Sequence, residues 1–413
     1  MTSDVIVLGV GATPFGRHLG STVSDLVGQA TREAMGDAGI SRDTIGAIFY
    51  ANVSQKALDR QHMIPGQVAL RPHGFAGVPV VNVENACAGG ATALWLAIAH
   101  IRAGLSDVAL AVGVDKLVSA DPHKSLEVFD GALDVARRDE ALTALTELAA
   151  PLSPDLEVAA GERSVFMEVY AALARTHMER FGTTEAQLAA VSAKNHAHSV
   201  HNPRAQFRRP FTVDEVLAAR RVAWPLTVPM CSPVSDGAAT VVVTSAEFAR
   251  TRASYRHAAK VLGSVLVSGT DRDPDDATNH IGRRAALTAY EQAGIDPGDV
   301  DVAEVHDATA FGEIQQVENL GFCPIGHGGP WSASGASSLG GILPVNPSGG
   351  LESRGHPVSA TGLAQVFELV TQLRGQAGDR QVPDAQIAIA ENGGGLYRYE
   401  EAIAAVTLFG RTK

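Results

Sequence analysis

The sequence predicts an α/β protein built from two similar halves, and three observations carry that prediction. Short β-branched runs alternate with amphipathic helical stretches, the pattern of largely parallel strands covered by helices. The same strand–helix–strand order occurs twice. A content of 45% hydrophobic residues with only 5% aromatics and 42 glycines describes layers packed by Ala, Val, Leu and Ile rather than by large rings. The 413 residues also exceed one typical domain of roughly 150 residues.

In the first half, Val5 to Leu8 reads as a buried strand. Val23 to Ala38 follows with helical apolar spacing that stops at Gly39, a C-cap residue, and Thr44 to Tyr50 reads as the next strand. The second half repeats this with Val261 to Val267, Arg283 to Ala293, the stop at Gly294, and Val300 to Val305. Asp37-Ala-Gly-Ile40 matches Gln292-Ala-Gly-Ile295, a register that sets Tyr50 against Val305 and Ala51 against His306. Ala91-Thr92 matches Ala360-Thr361 and sets Cys87 against His356, each just before a helix. Val108 to Val112 corresponds to Gln386 to Ala390. The expected division is residues 1–250 and 251–413. The first half carries an insertion at about 118–222, with a charged helix at Glu162 to Phe181 and otherwise helices and loops on the surface.

A formal net charge of -12 argues against nucleic acid or an anionic membrane as partner and confines any phosphate site to a local basic cluster. Arg204, Arg208, Arg209, Arg220 and Arg221 form such a cluster. They could equally be a solvated basic face. Cys87, Cys231 and Cys323 are too few and too scattered for a disulfide framework or a structural metal site, so no metal is expected. The first residues lack the basic start and apolar run of a signal peptide, and no window reaches the roughly 18 apolar residues of a membrane span. The expectation is a cytoplasmic protein.

Gly9-Val-Gly11-Ala-Thr-Pro14 follows a strand like a dinucleotide fingerprint. Pro14 stands where the third glycine should be, so a tight turn is the better reading. Cys87 lies between a β-branched run and Gly89-Gly90. A helix starting near Ala88 or Gly89 would favour the thiolate through its unpaired N–H groups, although a small buried cysteine is the other reading. In Gly355-His-Pro357 a glycine-rich loop delivers His356 to a helix start, either as proton acceptor or oxyanion donor or as a capping or core histidine. His306 ends a strand, where catalytic groups gather, and Asp307 either orients it or caps the next helix. Ile387 to Leu396 runs from a strand into Gly393, Gly394 and Gly395, a loop that presents N–H groups to a carbonyl oxygen or is simply a turn. Cys231 and Cys323 are read as structural.

Asn85-Ala-Cys87-Ala-Gly, Ser235-Asp-Gly-Ala-Ala239, His306-Asp, Gly355-His-Pro357 and Asn392-Gly-Gly-Gly395 together resemble the thiolase superfamily. The His-Asp motif is similar to that of the sterol carrier protein X type. The resemblance spans nearly the whole chain. It implies a five-layer αβαβα sandwich of two α/β halves with an inserted loop domain, and a homodimer. It also implies Cys87 as acyl-accepting nucleophile and His356 as its activator. His306 with His356 would form one oxyanion hole, and the N–H groups of Cys87 and a glycine of the Asn392 to Gly395 loop the other. Coenzyme A is implied as cosubstrate, with no permanently bound cofactor, and the arginines are implied as contacts for its phosphates.

One feature departs from that pattern. The second, acid/base cysteine of degradative thiolases is absent, because its two family positions read Glu391-Asn-Gly-Gly and Ala308. His306, Glu391 or Tyr397 are expected substitutes. The expected activity is acyl transfer that cleaves or forms a 3-oxoacyl-CoA through acyl-Cys87. The alternatives are a retro-aldolase acting on a 3-hydroxyacyl-CoA, or acyl-CoA and lipid binding without catalysis. Similar chains imply a small OB-fold/zinc-ribbon partner protein.

Overall fold

In the computed structural model, residues 4–148 and 164–412 are described. Nine strands form one sheet: β1 (Val5–Ala12), β2 (Ala47–Ala51), β3 (Val80–Val83), β4 (Val108–Lys116), β5 (Asp236–Ser245), β6 (Ala259–Ser268), β7 (Val302–Glu304), β8 (Ile387–Gly394) and β9 (Ile403–Arg411). Their spatial order is β3-β2-β4-β5-β1-β6-β9-β8-β7. The two halves meet at β1 and β6, which pair only at Ile6 with Lys260 and Val7 with Ala259.

The seven helices that matter for the site are α1 (Val23–Ala38), α2 (Gly89–Arg102), α3 (Val165–Phe181), α4 (Glu185–Ser199), α5 (Ile281–Ala293), α6 (Ala310–Asn319) and α7 (Thr361–Leu373). α1 begins with a capping box between Thr22 and Asp25 and ends on Gly39 at φ 64°, a left-handed position that glycine takes without strain. α5 ends the same way on Gly294 at φ 68°. One core joins the inner faces of both half-sheets to α2 and α7 through Leu94, Ile98, Leu363, Val366 and Leu369. A second core lies between the first half-sheet and α1, and a third between the second half-sheet and α5. Helix, sheet, paired helices, sheet and helix make five layers.

The paired helices start in contact. A Cβ on Gly90 would lie 2.4 Å from the carbonyl oxygen of Ser359, so only glycine lets the start of α2 approach the turn that feeds α7. This contact brings the segments ending in Cys87 and His356 together.

Three expectations need correction. The strands are not largely parallel: β3-β2-β4 and β7-β8 are parallel, whereas β5, β1, β6 and β9 pair antiparallel. Helices cover both faces of β1 and β5, whose residues are all buried, and a strand buried on both faces reads as one apolar run whichever way it points. Gly9 and Gly11 are not in a turn but inside β1. A Cβ on Gly9 would meet the Ala34 carbonyl of α1 at 2.4 Å, so these glycines serve strand–helix packing. The inserted region is not confined to the surface, because α3 and α4 share a core with Phe311 and Ile314 of α6. The helix expected from Glu162 runs Val165–Phe181, and residues 162 and 163 lie outside the described residues. Among the described residues no helix is long and apolar enough to cross a membrane.

Candidate active site

β3 ends at Val83, and the chain reaches α2 through a 3-10 turn at Ala86–Ala88 that carries Cys87. Ala86 adopts φ 47°, a left-handed conformation that costs a non-glycine residue about 1–2 kcal/mol. Two clips hold the turn: the Ala86 N–H donates to Glu84 Oε1 at 2.7 Å, and Asn85 Nδ2 donates to Thr92 Oγ1 at 3.0 Å. The nucleophile candidate is thus set on a strained, braced turn.

The expectation of a helix-stabilised thiolate is corrected here. Burial pushes the Cys87 thiol up to about 12, and the nearby carboxylates Asp115 and Glu84 add to the shift. Hydrogen bonds from the N–H groups of Cys87 and Gly395 pull the other way but do not prevail. Desolvation of a thiolate outweighs one helix end. Asp115 comes from β4, where it accepts the Val53, Ser54 and Ser359 N–H groups, so nothing in the sequence near Cys87 announces it.

His356 stands just before the turn into α7, with its N–H on Ser235 Oγ at 2.9 Å. Its Nδ1 lies 2.6 Å from Thr361 Oγ1, whose own hydroxyl donates to the Pro357 carbonyl at 3.1 Å. With that proton spent, Thr361 can only accept, which puts the imidazole proton on Nδ1 and leaves Nε2 bare. His356 Nε2 has no partner, the state a proton acceptor needs. Burial, then the neighbouring His306 and Arg354, hold the ring well below the usual histidine range, so it is neutral at rest.

His306 follows β7, its N–H on Glu391 Oε2 at 3.0 Å and both ring nitrogens unpartnered. Burial lowers it to about 4. The two rings sit 5.4 Å apart at 61°, and Cys87 Sγ and one nitrogen of each ring all lie within 4.8 Å of one another. The resting triad is therefore an uncharged thiol facing two uncharged imidazoles. The same three atoms could ligate a soft divalent ion, the one such group among the described residues.

These groups open on a cavity of about 270 Å³. Its wall is mostly apolar, with Phe129, Phe166, Met167, Phe207 and Val228 supplied largely by the inserted region, and Tyr170, Ala308, Arg220, Gly394, Gly395 and Glu401 completing it. The glycine loop is corrected: β8 runs through Gly394, because Gly393 and Gly394 pair with Ala404 and Ile403 of β9. Only Gly394 and Gly395 reach the cavity. Asn392 instead faces Gly362 of α7, and Gly393 lies beneath the Glu401 side chain.

Arg204 is not available to a phosphate. It is ion-paired with Glu33, donates to the Ala12 carbonyl and stacks on Phe367. Arg208 donates to the Val200 carbonyl, Arg209 pairs with Glu215, and Arg221 with Glu185. Asp307 is buried away from the cavity, where its carboxylate accepts from Leu351 N–H and Asn195. Burial and then Glu352 and Glu313 hold its carboxyl well above the usual range. Tyr397 is half exposed and bonds Asp271, which removes it from the site.

Cys323 packs in the third core, but the reading of Cys231 needs correction. It lines the same cavity as Cys87, because its segment runs beside Ala308, with Ser232 N–H on the Ala308 carbonyl at 3.0 Å. Tyr170 and Glu401 were also missed. The signal for Glu401 was a pair of carboxylates, Glu400-Glu401, placed against the apolar strand β9.

A family profile described as "Thiolase, N-terminal domain" matches residues 5–247, and one described as "Thiolase C-terminal domain-like" matches residues 268–406. The chain belongs to the thiolase family. Its enzymatic class is that of an acyl-CoA acyltransferase. The chain is 37% identical to an "Acetyl-CoA acetyltransferase" of Methanothermobacter thermautotrophicus, over 99% of this chain and 100% of the relative. It is 35% identical to "Sterol carrier protein 2" of Bos taurus, over 95% of this chain and 70% of the relative, in keeping with the sterol carrier protein X type. A solved "Ltp2-ChsH2(DUF35) aldolase" superposes with a TM-score of 0.78 at 21% identity, covering 99% of this chain and 98% of the other. That likeness bears on the thiolase fold alone.

Proposed function

We propose that this thiolase cleaves or forms 3-oxoacyl-CoA thioesters through an acyl group carried on Cys87. The observation that carries the reading is the approach of Cys87 Sγ, His306 and the bare Nε2 of His356 at the end of one apolar cavity. In formation Sγ attacks the thioester carbonyl carbon while the thiol proton passes to His356 Nε2; in cleavage Sγ attacks the 3-oxo carbon. The oxyanion of this attack is met by the N–H groups of Cys87 and Gly395, and His306 with His356 lines the second oxyanion hole. The acyl–Cys87 bond forms as CoA departs with the proton, or as acetyl-CoA departs in cleavage, and the acyl group then passes to a second thioester or to coenzyme A as cosubstrate. Because charge is costly in this cavity, the proton moves with the attack rather than before it. Phe129, Phe166 and Phe207 favour a bulky or aromatic acyl group. Arg220 on the cavity wall is the best placed of the five arginines for CoA, with Arg208, Arg209 and Arg221 further out.

Intact mass measurement after incubation with a panel of acyl-CoAs tests this: a wild-type adduct that Cys87→Ala lacks is expected. A lyase reading is favoured by one observation, the resting thiol near 12. Aldehyde or ketone release from a 3-hydroxyacyl-CoA by Cys87→Ala would establish it.

We also infer a homodimer. β3 leaves one edge unpaired among the described residues, and Met63, Ile64, Val68 and Val81 are exposed around it; a wild-type protein that sediments as a monomer would refute this. The name of the similar aldolase joins Ltp2 to ChsH2(DUF35), and a partner of the DUF35 kind is inferred for this chain too. Full turnover by the isolated chain would argue against it. The free cysteines fit a reducing cytoplasm, and a secreted, oxidised form would contradict that.

A further inference from the structure

We propose that Glu401 is the acid/base group of the carbon–carbon step, taking the part of the second cysteine that this chain lacks. The inference rests on the acyl-Cys87 reading and adds a residue to it. Glu401 is a buried carboxylate on the cavity wall. Gly393 makes room for it: a Cβ there would lie 2.7 Å from Glu401 Cγ, so the side chain lies flat on the strand that leads to Gly394 and Gly395 beside Cys87.

Its two oxygens are held unequally. Oε1 accepts from Gln316 Nε2 at 3.0 Å, whereas Oε2 has no hydrogen bond. The nearest cation-capable group is His280 Nε2, 3.5 Å from Oε2. Gly282 N–H and Asn319 Nδ2 both approach His280 Nδ1, so the ring proton sits on Nε2 and points toward Glu401. His280 also lines a second cavity, of about 80 Å³, which Glu401 itself does not line. A base in the site needs a route by which its proton exchanges with water, and His280, which touches both Glu401 and that cavity, offers one.

The electrostatic setting agrees. Burial raises Glu401 to about 7, Glu400 beside it adds to the rise, and Arg272 opposes it. Glu391 of β8 and Tyr170 of α3 also feel its charge. The ideal acid/base titrates near the working pH. The other candidates are worse placed. Glu391 is occupied by the His306 N–H and is absent from the cavity wall. Cys231 is also on the wall, but burial pushes its thiol up, away from the working pH that suits an acid/base group.

In condensation, the Glu401 carboxylate removes a proton from the α-carbon of the second thioester. The C–H electron pair becomes the enolate, which attacks the acyl carbon on Cys87. The new C–C bond forms as the C–S bond breaks, and the proton on Glu401 returns to the Cys87 thiolate. Cleavage is the reverse.

Two half-reactions separate this claim from the reading it rests on. Wild type, Glu401→Gln, Glu401→Asp and Cys231→Ala are incubated with acetyl-CoA in D2O, reading the acetyl adduct by intact mass and deuterium in the acetyl methyl. The expected result is an adduct on all four, with methyl exchange at least about 100-fold slower in Glu401→Gln, partly restored in Glu401→Asp and slowed far less in Cys231→Ala than in Glu401→Gln. In wild type the exchange rate should rise with pH through about 7. Unchanged exchange in Glu401→Gln, or loss of exchange in Cys231→Ala instead, overturns the proposal. Loss of both adduct and exchange in Glu401→Gln also overturns it, since the residue would then shape the pocket. No adduct on wild type sinks the acyl-Cys87 reading by itself, while Glu401-dependent exchange would still stand.

Discussion

Thr361→Val isolates the link between the helix start of α7 and the chemistry at Cys87. Valine keeps the shape of threonine but removes the hydroxyl that accepts the His356 Nδ1 proton at 2.6 Å. A buried N–H left without a partner costs about 1–3 kcal/mol. The ring can escape part of that cost by moving the proton to Nε2, which then no longer accepts the thiol proton. Either way Cys87 acylation loses about 1–3 kcal/mol of barrier stabilisation, a rate about 5- to 150-fold slower. Thr361→Ser keeps the acceptor and should restore most of the rate. The assay is the quenched-flow rate of adduct formation by mass, run beside thermal melts. Acylation by Thr361→Val at the wild-type rate would refute the assignment of a bare Nε2. So would a loss that serine fails to rescue.

Three further outcomes follow from the same geometry. Alkylation of Cys87 by iodoacetamide in the absence of substrate should be slow at pH 7 and still climbing at pH 10, because burial holds the thiol near 12; a plateau near pH 8 would contradict this. Burial, with Glu401 adding, raises Glu391 to about 8, so its ionisation in the fold costs stability that is fully present below the unfolded carboxyl value and lost as pH rises through 8. Glu391→Gln, which keeps an acceptor for the His306 N–H, should therefore gain in melting temperature over wild type as pH goes from 5.5 to 8.5, and a constant difference would count against it. Gly90→Ala must push the Ser359 carbonyl aside; a loss of about 1–3 kcal/mol in denaturant unfolding is expected, and a neutral result would mean the two helix starts separate freely.

Much of this architecture was written in short-range patterns. The Ala38/Ala293 and Ala91/Ala360 matches are legible because both halves must end a helix on glycine and begin the inner helix from a tight turn. That is also why Cys87 and His356 could be paired from the sequence: the turn at Ala86–Ala88 and the one at Val358–Ala360 lie side by side in the shared helical layer. What escaped depends on partners distant in the chain. The Cys87 thiol is shifted by Asp115 of β4, Arg204 is claimed by Glu33, and Gly393 is held extended by Ala404. Cys231 looked inert because its neighbour at the site, Ala308, lies in the other half. Strand direction was illegible for a different reason, since helices on both faces erase the alternation that would have exposed it.

The most direct test of acyl transfer through Cys87 is peptide mapping of the protein quenched during turnover of a 3-oxoacyl-CoA. The account predicts an acyl group on the peptide containing Cys87, with acetyl-CoA released in equal amount before coenzyme A is added. Acetyl-CoA release with an unmodified Cys87 peptide would contradict it.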